Sequence, residues 1–201
     1  MPKIVLLNGP PKCGKDTVVR ELVPYIKFQH LKFAMPIKRA VAGLLDIGEG
    51  ALESYKDIQS TVLQRRDTGT KEYRDTPRQL LIALSEELLK PRYGDDFFGK
   101  VFWQHAKNSA SDLIIASDCG FESEVTRVVA NAGKNNCLLI RAHRVGTSFD
   151  GDSRSFLRDD ICTTWDVNNN STIHEFTMKV LRIITREFAM PLLREPDWIK
   201  V

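Results

Sequence analysis

The stretch "LLNGPPKCGKDTVV", residues 6–19, decides how the chain is read. It carries the spacing G-x-x-x-x-G-K of a phosphate-binding loop, from Gly9 through Gly14 to Lys15. An apolar run, "KIVLLN", precedes it and a helical pattern follows, with Val18, Val19, Leu22, Val23 and Ile26 on one face. Strand, loop and helix in that order are the context the motif needs. Glycines let the backbone wrap closely around phosphate oxygens, so that N–H groups and a helix N-terminus face the anion. Lys15 adds a full charge. One letter departs from the common pattern: where Ser or Thr would hold magnesium stands Asp16, with Thr17 after it. A carboxylate is a hard oxygen ligand and can serve the same ion.

Composition narrows the class. The 201 residues suit one compact α/β domain with a small insert, and 42% apolar residues supply its core. Twenty-nine basic residues against 26 acidic give +3, too mild a surplus for nucleic acid or a membrane surface to be the main partner. Cys13, Cys119, Cys137 and Cys162 are widely spaced, without a C-x-x-C pair, and read as reduced thiols of a cytoplasmic protein. No signal peptide precedes "KIVLLNG", and no apolar run reaches membrane-span length.

Working outward, the helix after the loop is expected from Lys15 to about Lys27, with Pro24 as a stop or kink. "HLKFA" reads as a strand and "PIKRAVAGLL" as a helix with Pro at its start. Residues 46–75 read as a polar, irregular insert. "TPRQLLIALSEELLK" reads as one helix capped by Thr76, and "DDFFGKVFWQHAK" as another. "DLIIASD", "NCLLIRA" and "TTWDVNN" read as strands. "ESEVTRVVANAG" is a helix closed by Gly133, and "STIHEFTMKVLRIITREF" a long final helix. Strands alternating with helices imply parallel βαβ units.

Two further features carry chemistry. In "LIIASDCGFE", residues 113–122, an apolar strand ends in Asp118, where a carboxylate would sit at the carboxyl edge of the sheet beside a metal. The segment "RAHRVGTSFDGDSRSFLR" carries Arg141, Arg144, Arg154 and Arg158 around Gly, Ser and Asp, as a closing lid would. Each arginine alone also fits a solvated loop. Lys38, Arg39, Arg78 and Arg92 are candidates for a monophosphate pocket, Arg78 at a helix start where guanidinium and backbone could share one phosphate.

"NGPPKCGKDT", "FAMPIKRA", "TPRQLLIALSEELL", "LIIASDCGFESE" and "WDVNNNSTIHEF" together resemble the phage-type deoxynucleoside monophosphate kinases, in order and over nearly the whole chain. The G-K-D-T ending is the most specific part and is shared with the animal-type phosphomevalonate kinases. The resemblance implies a single P-loop kinase domain over residues 1–201. It would have a central parallel sheet of about five strands flanked by helices, an acceptor-binding helical insert (about 33–100) and a small lid (about 143–158). It implies ATP, Mg2+ and phosphoryl transfer to a (deoxy)nucleoside monophosphate. Another phosphorylated acceptor, phosphomevalonate-like, and a non-catalytic nucleotide-binding module stay open as alternatives, and so does a homodimer. Nucleic acid and membrane are not expected partners. The expected ATP site is Gly9, Lys12, Cys13, Gly14, Lys15, Asp16, Thr17, Arg141, Asn168 and Asn169. The expected acceptor site is Phe33, Lys38, Arg78, Glu86 and Arg92. Asp16 and Asp118 are the expected metal ligands, and Lys15, Asp118, Arg144 and Arg154 the catalytic set. Many relatives carry Arg soon after the strand-end Asp; here Cys119 and Gly120 follow Asp118, which leaves that contact to Arg78 or Arg92.

Overall fold

The computed structural model describes residues 1–58, 60, 63 and 75–196. The chain divides into two compact units, one formed by residues 1–33 and 98–201, the other by residues 34–97.

The first unit is built on a five-stranded parallel sheet: β1 (Lys3–Asn8), β2 (Gln29–Leu31), β3 (Leu113–Cys119), β4 (Cys137–His143) and β5 (Thr163–Asn168). The strand order is β2-β3-β1-β4-β5. This is the α/β architecture expected from the loop. β1, β3 and β4 are buried along nearly their whole length, which is why they read as unbroken apolar runs and not as alternating ones. α1 (Lys15–Leu22) and α8 (Ile173–Phe188) cover one face. There Val18, Leu22, Phe176, Val180, Leu181 and Ile184 pack with Val5, Leu7, Leu138 and Ile140 of the strands. α6 (Phe97–Lys107) and α7 (Glu122–Ala132) meet closely where Gly99 lies on the backbone of Glu124; a Cβ at Gly99 would sit 2.9 Å from Glu124 Cα. α7 ends at Gly133 with φ 88°, as its sequence predicts.

The second unit carries α2 (Met35–Leu44), α3 (Glu49–Tyr55), α4 (Pro77–Ile82), a π-helical stretch over Ala83–Leu89 and α5 (Lys90–Tyr93). Its small core gathers Val41, Ala42 and Leu52 with Leu80, Leu81 and Leu84. Thr76 caps α4 in a full capping box with Gln79.

Several expectations need correction. α1 stops at Leu22, ahead of Pro24, because proline cannot donate within the helix. The insert 46–75 is not wholly irregular, since α3 lies within it; residues 64–74 of "QRRDTGTKEYRDT" fall outside the described residues. The helix from Thr76 is not uniform. It widens to π geometry just before Pro91, which lacks the N–H an α-helical ladder would need there. β3 runs one residue past Asp118 to Cys119. The crossover from β4 to β5, residues 144–162, contains no helix among its described residues; the stretch expected as a lid, about 143–158, falls mostly within it.

Candidate functional site

Strands β1, β3 and β4 end together, and the loop after β1 turns over that edge. Three left-handed or glycine-only conformations shape it: Gly9 (φ 151°), Lys12 (φ 64°) and Gly14 (φ 101°). Gly9 is required by space as well, for a Cβ there would stand 2.6 Å from Ala142 O and 2.8 Å from Cys13 Sγ. Within this turn the Cys13 N–H closes back onto Pro10 O at 3.3 Å. α1 starts immediately after it, with Gly14 as its cap residue.

Lys15 is buried, not solvent-accessible as a loop–helix junction suggests. Its ammonium donates to Gly9 O (2.5 Å) and Pro10 O (2.8 Å), and Cys13 Sγ lies 3.5 Å away. The charge is therefore stored within the loop itself, close to the backbone that would surround a phosphate. Asn169, also buried, ties the loop to the far strands. Its Nδ2 donates to Cys13 O (2.8 Å) and its backbone N–H to His143 O (2.7 Å). Asn169 thus holds the loop, whereas Asn168 lines a shallow cavity with Pro10, His143, Arg144 and Phe156. A second cavity of about 130 Å³ is lined by Gly14, Thr17, Arg144, Asn169, Ser171 and Ile173. Arg144 borders both cavities and is exposed.

Asp16 Oδ1 accepts from Ser117 Oγ and from the Lys32 ammonium, each at 2.7 Å. Partial desolvation pushes its pKa up, but the Lys32 and Ser117 hydrogen bonds outweigh this and hold the carboxyl below its usual range. Asp118 Oδ1 accepts from the Phe33 backbone N–H at 2.9 Å. Among the described residues no three His, Cys, Asp or Glu side chains converge closely enough to hold a metal with protein ligands alone. That donor set fits magnesium, which takes one or two carboxylates and completes its shell with water and substrate phosphate. Asp16, with a side chain 62% exposed, is open to such an ion.

The segment 144–158 is anchored mainly at its C-terminal half. Asn8, fully buried at the end of β1, donates to Cys119 O (3.1 Å) and Ser155 O (3.0 Å) and accepts from Leu157 N–H (3.0 Å). Residues 155–157 are thereby fixed to the sheet edge. Arg154 forks onto Asp152, Nε to Oδ1 at 2.8 Å and Nη2 to Oδ2 at 2.6 Å. That bidentate pair raises the guanidinium pKa against the opposing effect of burial. The stem of Arg154 lies over Gly120. Residues 144 and 145 are tied to neighbouring segments by Arg144 Nη1 to Lys12 O (3.5 Å) and Val145 N–H to Asn170 Oδ1 (2.8 Å), whereas residues 146–151 hold local bonds, such as Thr147 Oγ1 to Arg144 O and Ser148 Oγ to Asp150.

The other expected site residues have the following partners. Arg141 bridges β4 and β5 by a fork onto Asp166 and donates to Leu157 O, so it acts as a strut. Phe33 is buried and stacked on Phe102 at 4.3 Å between ring centroids. In the second unit Lys38 pairs with Glu53 (2.7 Å), Arg78 forks onto Asp57, and Glu86 pairs with the buried Lys90 (2.8 Å). Arg39 pairs with Glu49, and Arg158, in the first unit, with Glu122 and Asp160. Lys12 is exposed on the loop, and Arg92 exposed on α5. Sequence reasoning missed Asn8, His30, Lys32, Ser117 and Asp152. Asn8 had a usable signal, a polar residue at the end of a buried strand; Lys32 was read inside the strand "HLKFA", whereas β2 ends at Leu31 and frees Lys32 at the sheet edge.

No family model and no curated protein sequence matches the chain. Among solved structures it is similar to a sugar kinase from Janibacter sp. HTCC2649, at 10% identity over 90% of this chain and 94% of that one, TM-score 0.44. It is also similar to the tunicamycin resistance protein of Deinococcus radiodurans, at 12% identity over 97% and 100%, TM-score 0.45.

Proposed function

We propose that the protein is an ATP-dependent kinase of nucleoside monophosphates, with deoxynucleotides as the preferred acceptors. The observation that carries the reading is the loop Gly9–Thr17: a turn with positive φ at Gly9, Lys12 and Gly14 between β1 and the start of α1, with the Lys15 ammonium folded onto its carbonyls. The G-K-D-T sequence and the order of the other motifs favour a monophosphate acceptor over other kinase substrates.

In this reading the backbone N–H groups of residues 14–17, at the start of α1, and Lys15 bind the β- and γ-phosphates of ATP. The cavity beside Thr17 and Arg144 receives the adenosine end. An oxygen of the acceptor phosphate attacks the γ-phosphorus, and the bond to the β–γ bridging oxygen breaks, leaving ADP. The attacking oxygen is already ionised, so no protein base is needed. Magnesium, held by Asp16 and supported by Asp118, would supply charge neutralisation on the phosphates. The chain's own part is positioning: Lys15 follows the transferring group, and Arg144 and Arg154 offset its charge. Among the described cations of the 34–97 unit, Lys38, Arg78 and Arg92 are the candidates for holding the acceptor.

An ADP-release assay with a panel of acceptors tests this. Deoxynucleoside monophosphates should turn over fastest, ribonucleotides more slowly, and sugars and phosphomevalonate at background. Turnover with phosphomevalonate alone would move the protein to another acceptor class. Tight ATP binding with no turnover on any acceptor would make it a nucleotide-binding module.

A further inference from the structure

Lys32 leaves β2 at the carboxyl edge of the sheet. Leu31 pairs with Ala116, so Lys32 and Ser117 emerge side by side, and the Phe33 N–H bonded to Asp118 fixes the backbone on the other side of Lys32. Both residues then reach the same oxygen, Oδ1 of Asp16, from β-strands that follow the loop by very different lengths of chain. The Ser117 hydroxyl has one proton, given to Asp16, so His30 Nε2, at 2.8 Å, is the donor to Ser117 Oγ. The row runs His30 to Ser117 to Asp16, with Lys32 closing it from the other side. The lysine side chain is only 23% exposed, whereas Asp16 is 62% exposed. The carboxylate therefore faces solvent while its cation is tucked beneath it.

We propose that Lys32 is a built-in counter-ion for Asp16, and that a divalent cation binds this carboxylate in competition with it. The proposal rests on the reading of Asp16 as the residue that faces the metal–nucleotide. A lysine suits the role: its ammonium is a compact charge on a flexible stem and can leave one oxygen without dismantling a bidentate pair. Ser117 keeps its hydrogen bond and so preserves the orientation of Asp16. Once displaced, Lys32 stands at the sheet edge as an added cation for the phosphates, which couples metal arrival to the assembly of the charged site. Without a divalent ion, Lys32 keeps the acidic group neutralised and the loop in its folded form.

The test is Mn2+ binding to the full chain, read as loss of the free-ion electron paramagnetic resonance signal, with and without ADP. Lys32→Gln and Lys32→Met should bind Mn2+ about three- to tenfold more tightly than wild type, while Lys32→Arg stays within about twofold. In an Asp16→Asn background, Lys32→Gln should have no effect. Circular dichroism identifies a variant that fails to fold, and the two neutral variants are read independently. Unchanged or weaker Mn2+ binding in a folded neutral variant overturns the counter-ion role while leaving the kinase reading intact. Absence of Mn2+ binding by wild type in the presence of ADP overturns the metal–nucleotide reading, and this proposal with it.

Discussion

Arg154 lies across Gly120: a Cβ added to that glycine would stand 2.6–2.8 Å from the Cβ, Cγ and Cδ of the arginine. The residue after Arg154, Ser155, donates its N–H to Gly120 O at 3.3 Å and so holds the two segments together. The strand-end sequence Asp118-Cys119-Gly120, which looked like the loss of an arginine, is thus the bed on which an arginine from another segment rests. The first prediction follows. Gly120→Ala should displace Arg154 and lower kcat about tenfold or more, with circular dichroism unchanged. Arg154→Ala should have a similar effect. Because both changes act through one side chain, the double variant should be little worse than either single one. Additive losses would separate Gly120 from Arg154.

Asn8 is the link between β1, the end of β3 and the second half of the lid segment. Asn8→Ala would strand the carbonyls of Cys119 and Ser155 and the N–H of Leu157, at least part of them away from water. Loss of such a buried set costs about 2–4 kcal/mol. Denaturant unfolding should show it. Asn8→Asp keeps the shape but aims a carboxylate at two carbonyl oxygens, and should be at least as damaging.

How the sequence fared depends on the kind of signal each element carried. β1, β3 and β4 were legible because both faces of the sheet are covered and their residues are apolar without alternation. The loop was legible because Gly9, Gly14 and Lys15 are fixed by backbone geometry and charge within a few residues of one another. β2, three residues long with exposed side chains, gave a weaker pattern, and Lys32, read inside that strand, was overlooked. Helix α3 was hidden in a polar stretch, since a short helix that buries little more than Leu52 has almost no apolar stripe. The roles of Arg141, Arg154 and Asn169 depend on partners far away in sequence, Asp166, Gly120 and Cys13, and no local pattern encodes them.

Glu53 in the second unit accepts hydrogen bonds from Lys38 and Lys56. Partial burial pushes its pKa up, but the two lysines prevail and hold it at about 2, against an ordinary 4.5. A carboxyl depressed on folding stabilises the folded state above its unfolded value, and that contribution is lost as pH falls through the folded value. The stability difference between wild type and Glu53→Gln should therefore be largest above about pH 5 and shrink toward pH 2. Thermal unfolding of both proteins across that range measures it. Because half-exposed pairs are screened by solvent, the difference should also be reduced by added salt. A difference independent of pH would mean that Glu53 acts by packing and not by charge.

The final prediction divides the lid segment in two. Residues 155–157 are fixed by Asn8, and Arg154 by Asp152 and Gly120; Arg144 and Val145 bond to Lys12 and Asn170, whereas residues 146–151 are held mostly by local bonds. Gly146 and Gly151, both at positive φ, bracket the exposed part. Limited proteolysis of the free protein should therefore cut between 144 and 152 and spare 154–158. A bisubstrate analogue joining adenosine to the acceptor nucleoside through phosphates should suppress that cleavage. The arginines should differ in kinetics as well. Arg144 is exposed beside both cavities and held only by a long bond to Lys12 O (3.5 Å), so Arg144→Ala should lower kcat with little change in either KM. Arg78, held by Asp57, is assigned to the acceptor in ground and transition states alike, so Arg78→Ala should raise the acceptor KM and spare that of ATP. If Arg78→Ala changed only the ATP KM, the acceptor assignment would fall while the phosphate loop kept its role. Cleavage at 154–158 in the free protein would instead show that the Asn8 anchor opens in solution.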